Sequence, residues 1–187
     1  AALARIDAGC HVLEIGTGWG GFAIETVRRT GCRMTTVTIS GEQHRMALAR
    51  VREEGLEDRI DVRLCDYRDL EGSFDRIVSI EMLEAVGHKY LPAFFSTCDR
   101  LLKPGGLLAL QVITIPDQRY EAYRSGCDWI QKHIFPGGFL PSLGALCGAA
   151  RDHSRIVVER LDNIGPHYAT TLREWRRGFE ANWPAIR

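Results

Sequence analysis

Short apolar runs alternate along the chain with stretches whose apolar residues recur every three or four positions, the two rhythms of strand and helix. The first run, His11 to Ile15, leads through Gly16, Gly18, Gly20 and Gly21 into a helix over residues 20–29, apolar at Phe22, Ala23, Ile24 and Val27. Gly31 ends it, as glycine does at helix C-termini. A second strand is predicted over 33–39. Ser40 is a good N-cap, with Gln43 three residues on in capping-box position. The helix it opens covers 41–54, with Met46, Leu48 and Val51 inward and Gly55 closing it. Strands over 60–64 and 74–80 follow, then a helix over 90–102, a turn at Lys103-Pro104-Gly105-Gly106 and a fifth strand over 107–115.

Strands alternating with helices at this spacing predict an α/β fold, a mostly parallel, doubly wound, Rossmann-like sheet. Ligands of such sheets sit at the C-terminal ends of the strands. Residues 116–150 break the alternation with a helical insertion carrying Tyr120, Tyr123, Trp129, Phe135 and Phe139. It reads either as a lid over the strand ends or as an ordinary packed helix pair whose rings are core. A sixth strand is predicted over 155–161, then a helix from near His167 with Leu172, Trp175, Phe179 and Trp183, which Pro184 ends or kinks. No seventh strand follows, so the sheet is expected to lack its last strand. Residues 1–187 read as a single domain and, lacking an initial Met, as the interior of a longer chain.

Composition narrows the partners. The 24 Lys and Arg balance 24 Asp and Glu, which argues against a nucleic-acid partner, whose phosphate contacts need a basic face. No apolar run approaches the roughly 20 residues of a membrane span, and the first residues show no signal-peptide pattern. The six cysteines (Cys10, Cys32, Cys65, Cys98, Cys127, Cys147) form no CxxC pair. Neither a zinc site nor a disulfide framework is expected; they read as reduced thiols of a cytoplasmic protein.

The candidate chemistry lies at the predicted strand ends. Glu14 and the glycine loop offer free helix N–H groups and a close backbone approach. The loop runs into Trp19-Gly20-Gly21 with no P-loop lysine, which favours a nucleoside-type ligand over a triphosphate. A turn that merely needs glycine is the alternative. A dinucleotide site would place Asp or Glu at the end of strand two. This chain has Thr38 and Ser40 there, with Gln43 just after, which weakens a nicotinamide reading. Asp66 and Tyr67 after strand three suit a purine, one bonding its amine and one stacking, or form a solvated loop. Glu81 and Glu84 follow strand four; a capping or surface role fits Glu81 better than Glu84.

Several runs resemble the cyclopropane fatty acid synthase and mycolic acid cyclopropane synthase family of S-adenosylmethionine-dependent methyltransferases. They are the loop Leu13 to Gly21, the segment Thr38 to Gln43, Asp66-Tyr67-Arg68-Asp69, and Phe74 to Glu84. Leu102 to Gly106 is shared by many methyltransferases, and Asp128 to Gly138 with Leu140-Pro141-Ser142 is the most specific run. The resemblance implies that Glu14, Gly16, Thr17, Gly18, Gly20, Thr38, Ser40 and Gln43 hold the methionine part and ribose of S-adenosylmethionine, and Asp66 and Tyr67 its adenine. It implies transfer of a methylene to the cis double bond of an unsaturated phospholipid acyl chain, with bound bicarbonate as the base. Glu84, the Ile113 amide and the Tyr168 phenol would hold that ion, and Gln111, where many members have His, can donate to it. Ala85 likewise replaces a His, and the family's bicarbonate-binding cysteine lies upstream of the glycine loop. The implied partner is a phospholipid at a membrane surface, with no metal and no nucleic acid; a peripheral membrane association and a homodimer are compatible with it. Two other readings share the pattern: a methyltransferase making methyl- or methylene-branched lipids or methylating a small molecule, and a truncated cofactor-binding module without catalysis.

Overall fold

The computed structural model describes residues 3–186. They divide into two compact units, one running to Val157 and one from Val158 onward.

In the first unit, β1 (His11–Ile15), α1 (Gly21–Thr30), β2 (Arg33–Thr38), α2 (Gly41–Glu53), β3 (Ile60–Leu64) and β4 (Phe74–Ile80) follow the predicted alternation closely. After α3 (Leu91–Leu101) comes β5 (Leu102–Gln111), and the insertion forms α4 (Asp117–Arg124), α5 (Trp129–His133) and α6 (Leu143–His153). The five strands are parallel in the order β3-β2-β1-β4-β5. β1 is central and covered on both faces, so it reads as a near-continuous apolar run. Its alternate side chains feed two cores. Val12 packs with Met34, Val62 and Val78 against Ala23, Ile24, Val27, Ala47 and Val51 of α1 and α2. Leu13 and Ile15 pack with Val37 and Ile77 against Phe94, Phe95, Cys98 and Leu101 of α3 and Ala150 of α6.

Four local expectations need correction. Met46 is 51 % exposed; Ala47 takes the inner position beneath the glycine loop. There a Cβ on Gly20 would lie 3.2 Å from that of Ala47, so both small residues are needed for helix and loop to approach. The predicted turn at Lys103 to Gly106 is a bulge inside β5. Phe74 pairs with Leu102 and Arg76 with Leu107, and the extra residues are looped out. The Lys103 ammonium anchors them to Asp75 at 2.9 Å, and Gly105 supplies a φ of 73°. β5 stops at Gln111 rather than continuing to Ile115, which makes only an isolated bridge with Ser142. The predicted strand over 155–161 does not form. Its apolar run Ile156-Val157-Val158 is real, but Val157 and Val158 are 80 % and 57 % exposed, and among the described residues no strand pairs with it. Arg155 is tied instead to Asp99 at the end of α3.

The second unit contains α7 (Gly165–Ile186), with Pro184 inside its last turn. Leu172, Trp175, Phe179 and Trp183 form one exposed apolar stripe on it. Among the described residues no helix is long and apolar enough to cross a membrane. Cys10, Cys32 and Cys98 are buried free thiols, Cys65 and Cys147 are half-buried, and Cys127 is exposed.

Candidate active site

The strand order reverses direction at β1 and β4, so a crevice opens between their C-terminal ends. Its first wall is the loop after β1. Gly16, Gly18 and Gly20 have φ of 102°, 51° and 81°, the left-handed region that L side chains rarely enter. The Gly16 and Thr17 amides both donate to the Val37 carbonyl at 3.0 Å, which pins the start of the loop to β2. A Cβ on Gly18 would meet nothing within 4 Å, so the loop's tip faces open space. A Cβ on Gly16 would lie 3.2 Å from the Met82 side chain, which brings the turn after β4 directly against the loop.

Glu14 lies beneath this loop, 3 % exposed. In the parallel register it stands beside Thr36. The Thr36 hydroxyl donates to Glu14 Oε2 at 2.5 Å and lies 2.8 Å from the Thr17 hydroxyl, which can donate to it in turn. Burial pushes the Glu14 carboxyl up to about 8, opposed by the Thr36 bond. Glu14 thus reaches the loop through two threonines, with burial favouring its protonated form. Thr36 itself is not singled out by the motifs; the signal for it is a polar residue within an otherwise buried strand.

At the end of β2, the Thr38 hydroxyl donates to Gln43 Oε1 at 2.8 Å and accepts from the Ser40 amide. Ser40 caps α2 by accepting from the Gln43 amide. The capping box is half formed because the Gln43 side chain turns to Thr38 instead of back to Ser40. After β3, Asp66 caps a 3₁₀ turn over Tyr67–Asp69. Arg68 grips its carboxylate through Nε and Nη2 at 2.9 and 2.6 Å, which holds its pKa below the usual range. Tyr67 stands edge-on to Phe94 with ring centres 5.7 Å apart, and burial raises its phenol.

The opposite wall follows β4. Glu81 has a φ of 50° without being glycine, a conformation that costs roughly 1–2 kcal/mol. It is joined twice to the end of β5: its amide donates to the Gln111 carbonyl at 2.8 Å, and its Oε1 accepts from Gln111 Nε2 at 2.9 Å. Glu84, on a 3₁₀ turn over Leu83–Ala85, accepts from the Ile113 amide at 2.6 Å through Oε1. Its Oε2 is buried without a hydrogen-bond partner, the only such side-chain atom found among the described residues. Burial raises the Glu84 carboxyl; the Ile113 bond opposes the shift, and the nearby Glu81 charge adds to it. Glu81, Glu84, Gln111 and Ile113 therefore form one cluster, in which the Ile113 amide is directed to Glu84. The insertion joins it: the Phe139 amide donates to the Glu84 carbonyl at 2.7 Å. Phe139 sits among His88, Tyr120 and Tyr123, and His88 is hydrogen-bonded to the Tyr120 hydroxyl at 2.6 Å. Sequence reasoning missed this aromatic cage because His88 is far from the insertion in sequence. Trp129 and Phe135 are both 66 % exposed. Tyr168 belongs to the second unit, on α7, where its ring stands edge-on to Trp175.

A glycine loop after the central strand of a doubly wound parallel sheet, with polar strand ends in place of a ribose-binding acid, defines the Rossmann-like fold of class I methyltransferases. Within it, the chain belongs to the mycolic acid cyclopropane synthetase family, whose sequence profile matches residues 2–187. It is 45 % identical over 177 residues to the tuberculostearic acid methyltransferase UfaA1 of Mycobacterium tuberculosis, covering 95 % of this chain and 41 % of that protein. It is 41 % identical over 182 residues to the cyclopropane-fatty-acyl-phospholipid synthase of Escherichia coli K12, covering 97 % of this chain and 45 % of that protein. The chain thus spans less than half the length of these relatives. Among solved structures, mycolic acid cyclopropane synthase CmaA1 complexed with SAH and CTAB superposes with a TM-score of 0.85 at 29 % identity, over 97 % of this chain and 66 % of that one.

Proposed function

We propose that this chain is the catalytic portion of an S-adenosylmethionine-dependent enzyme that delivers the methyl carbon to the cis double bond of an unsaturated phospholipid acyl chain at a membrane surface, closing a cyclopropane ring. The observation that carries the reading is Glu84: a half-buried residue with one carboxyl oxygen bonded by the Ile113 amide and the other buried without a partner, on the turn whose Met82 packs against the glycine loop.

S-adenosylmethionine, when bound, supplies an electrophilic methyl group on a sulfonium. The open tip at Gly18 gives its methionine end room. Thr38, Ser40 and Gln43 would hold its ribose, and Asp66 and Tyr67 its adenine. An alkene attacks without prior deprotonation, so the acceptor needs alignment rather than a base. With the cofactor bound, its methyl–sulfur bond would break as the methyl carbon bonds to one alkene carbon, releasing the neutral thioether and leaving a cation on the other carbon; loss of a proton from the new methyl to a base would then close the ring. Bicarbonate, when bound, supplies the base for that proton. The residues fit it: its hydroxyl would donate to Glu84 Oε2, the buried oxygen without a partner, and Gln111 would add a further polar contact. The buried Tyr120 and the half-buried Tyr123 and Phe139 offer a cation an aromatic wall, with the exposed His88 at its edge. The insertion over 116–150 acts as the lid that carries most of that wall, tethered to the site through Phe139 and Glu84.

A second reading keeps the cofactor and the alkene but ends in a methyl or methylene branch. The 45 % identity to a methyltransferase and Gln111 at the cluster favour it. The test is mass spectrometry of lipids from a host expressing the full-length protein. A gain of one CH2 unit on monounsaturated chains is expected, with NMR separating ring from branch. Unaltered monounsaturated lipids would refute both readings.

A further inference from the structure

The strained residue in this site is not explained by the chemistry above. Glu81 holds a left-handed φ that glycine would adopt freely, yet it carries a long charged side chain. Non-glycine residues persist in such a conformation when the surroundings over-determine them, commonly at functional sites. Here the surroundings are a double link to one residue: the Glu81 amide to the Gln111 carbonyl, and Gln111 Nε2 to Glu81 Oε1. Gln111 is the last residue of β5, in register with Ile80. Ile113, whose amide holds Glu84, is two residues further on.

The chemistry of the side-chain link matters. A carboxylate only accepts, and a carboxamide has a donor end and an acceptor end. Facing Glu81, Gln111 must present Nε2, so its flip state is fixed by charge rather than by packing. One N–H and the carbonyl oxygen remain for the crevice. Without an anionic partner both flip states would be available, and a donor and an acceptor would exchange places at the mouth of the Glu84 cluster.

We propose that Glu81 is a positioning residue for the transfer reaction: by accepting from Gln111 Nε2 it locks the Gln111 carboxamide in one flip state beside Glu84, and so sets both turnover and the partition between ring and branched product. The inference rests on the function proposed above. Glu81 pairs with Gln111 and acts through it; its strained backbone is retained for that pairing.

The test is a double-mutant cycle in the full-length protein with Glu81→Gly, Gln111→Ala and the pair. Glycine relieves the backbone strain, so Glu81→Gly is expected to keep or raise the melting temperature, while a structural residue would lower it. Turnover is expected to fall by about tenfold or more in each single variant with the S-adenosylmethionine KM unchanged, and the double variant to be no worse than either single, because residues acting as one unit are non-additive. Glu81→Gln, which keeps an acceptor oxygen, should recover part of the loss. Additive losses, or an unchanged rate and product ratio in Glu81→Gly, would overturn the proposal. A second measurement is independent of turnover. The Gln111 side-chain amide protons, assigned by NMR from their loss in Gln111→Ala, should move and exchange faster with solvent in Glu81→Gly. If they are unaltered, Glu81 does not position Gln111. If they move while the wild-type protein leaves lipids unaltered, the fault lies with the proposed function instead.

Discussion

Two glutamates stand at neighbouring strand ends, Glu14 buried and Glu84 half-buried, and their surroundings differ. Glu14, on β1, has one carboxyl oxygen answered by Thr36, which is linked in turn to Thr17. Glu84, after β4, has one oxygen answered by Ile113 and the other by nothing among the described residues. Burial raises both carboxyls. The same physical cause therefore acts on carboxyls in two settings. The Glu14 bonds come from the adjacent strand and loop, whereas the Glu84 oxygen without a partner lies close to the strained Glu81; on the function proposed above, Glu84 is the one that meets the ion.

The difference is broken most severely at Glu84. Glu84→Gln is expected to reduce turnover by up to about 10²–10⁴-fold, the usual weight of a positioned base, because it alters the group that holds that base, with S-adenosylmethionine affinity changed less than about threefold. Equal losses in kcat and affinity would remove its assigned role. Gly18→Val attacks the other wall. A β-branched residue at a φ of 51° is strained in open space, without a clash to blame. Cofactor binding by calorimetry should become undetectable, and unchanged binding would sink the assignment of the loop.

Smaller effects sharpen the Glu14 side. Thr36→Val removes the hydroxyl that Glu14 and Thr17 share and leaves buried polar groups unpaired, so chemical denaturation should show a loss of about 1–3 kcal/mol with folding otherwise intact. Glu14→Gln probes the pH dependence. The folded chain keeps the Glu14 proton up to about 8, while an unfolded chain releases it near the ordinary 4.5. The stabilisation from that proton is complete below the lower value and is lost as pH rises through the upper one. The melting temperature of Glu14→Gln should therefore fall less between those pH values than that of the natural chain. An identical slope would mean that Glu14 is ionised in the fold.

The same contrast explains what the sequence makes legible. The five parallel strands and the helices between them follow from apolar rhythm, because burial on both faces of a parallel sheet writes itself directly into composition. Gly16, Gly18 and Gly20 announce the loop because only glycine accepts its backbone freely. Pairings between distant segments leave no such mark. Glu81 with Gln111, Phe139 with Glu84, and His88 with Tyr120 join residues about thirty or more apart along the chain. Their chemistry is visible only once β4, β5 and the insertion meet. The strand predicted over 155–161 fails for the opposite reason: Val157 and Val158 satisfy a local pattern, but a strand needs a neighbour to bond, and pattern cannot supply one. Met46 and Ala47 show the same limit at the scale of one residue, where closeness to Gly20 outweighs side-chain hydrophobicity.

The contrast between the two glutamates is most directly tested by difference infrared spectroscopy of the full-length protein on addition of bicarbonate. Glu84→Gln and Glu14→Gln identify the two carboxyl bands by their loss. The Glu84 band is expected to shift when the ion binds and the Glu14 band to stay fixed. An unmoved Glu84 band, or a shift carried by Glu14 instead, would contradict the division of roles.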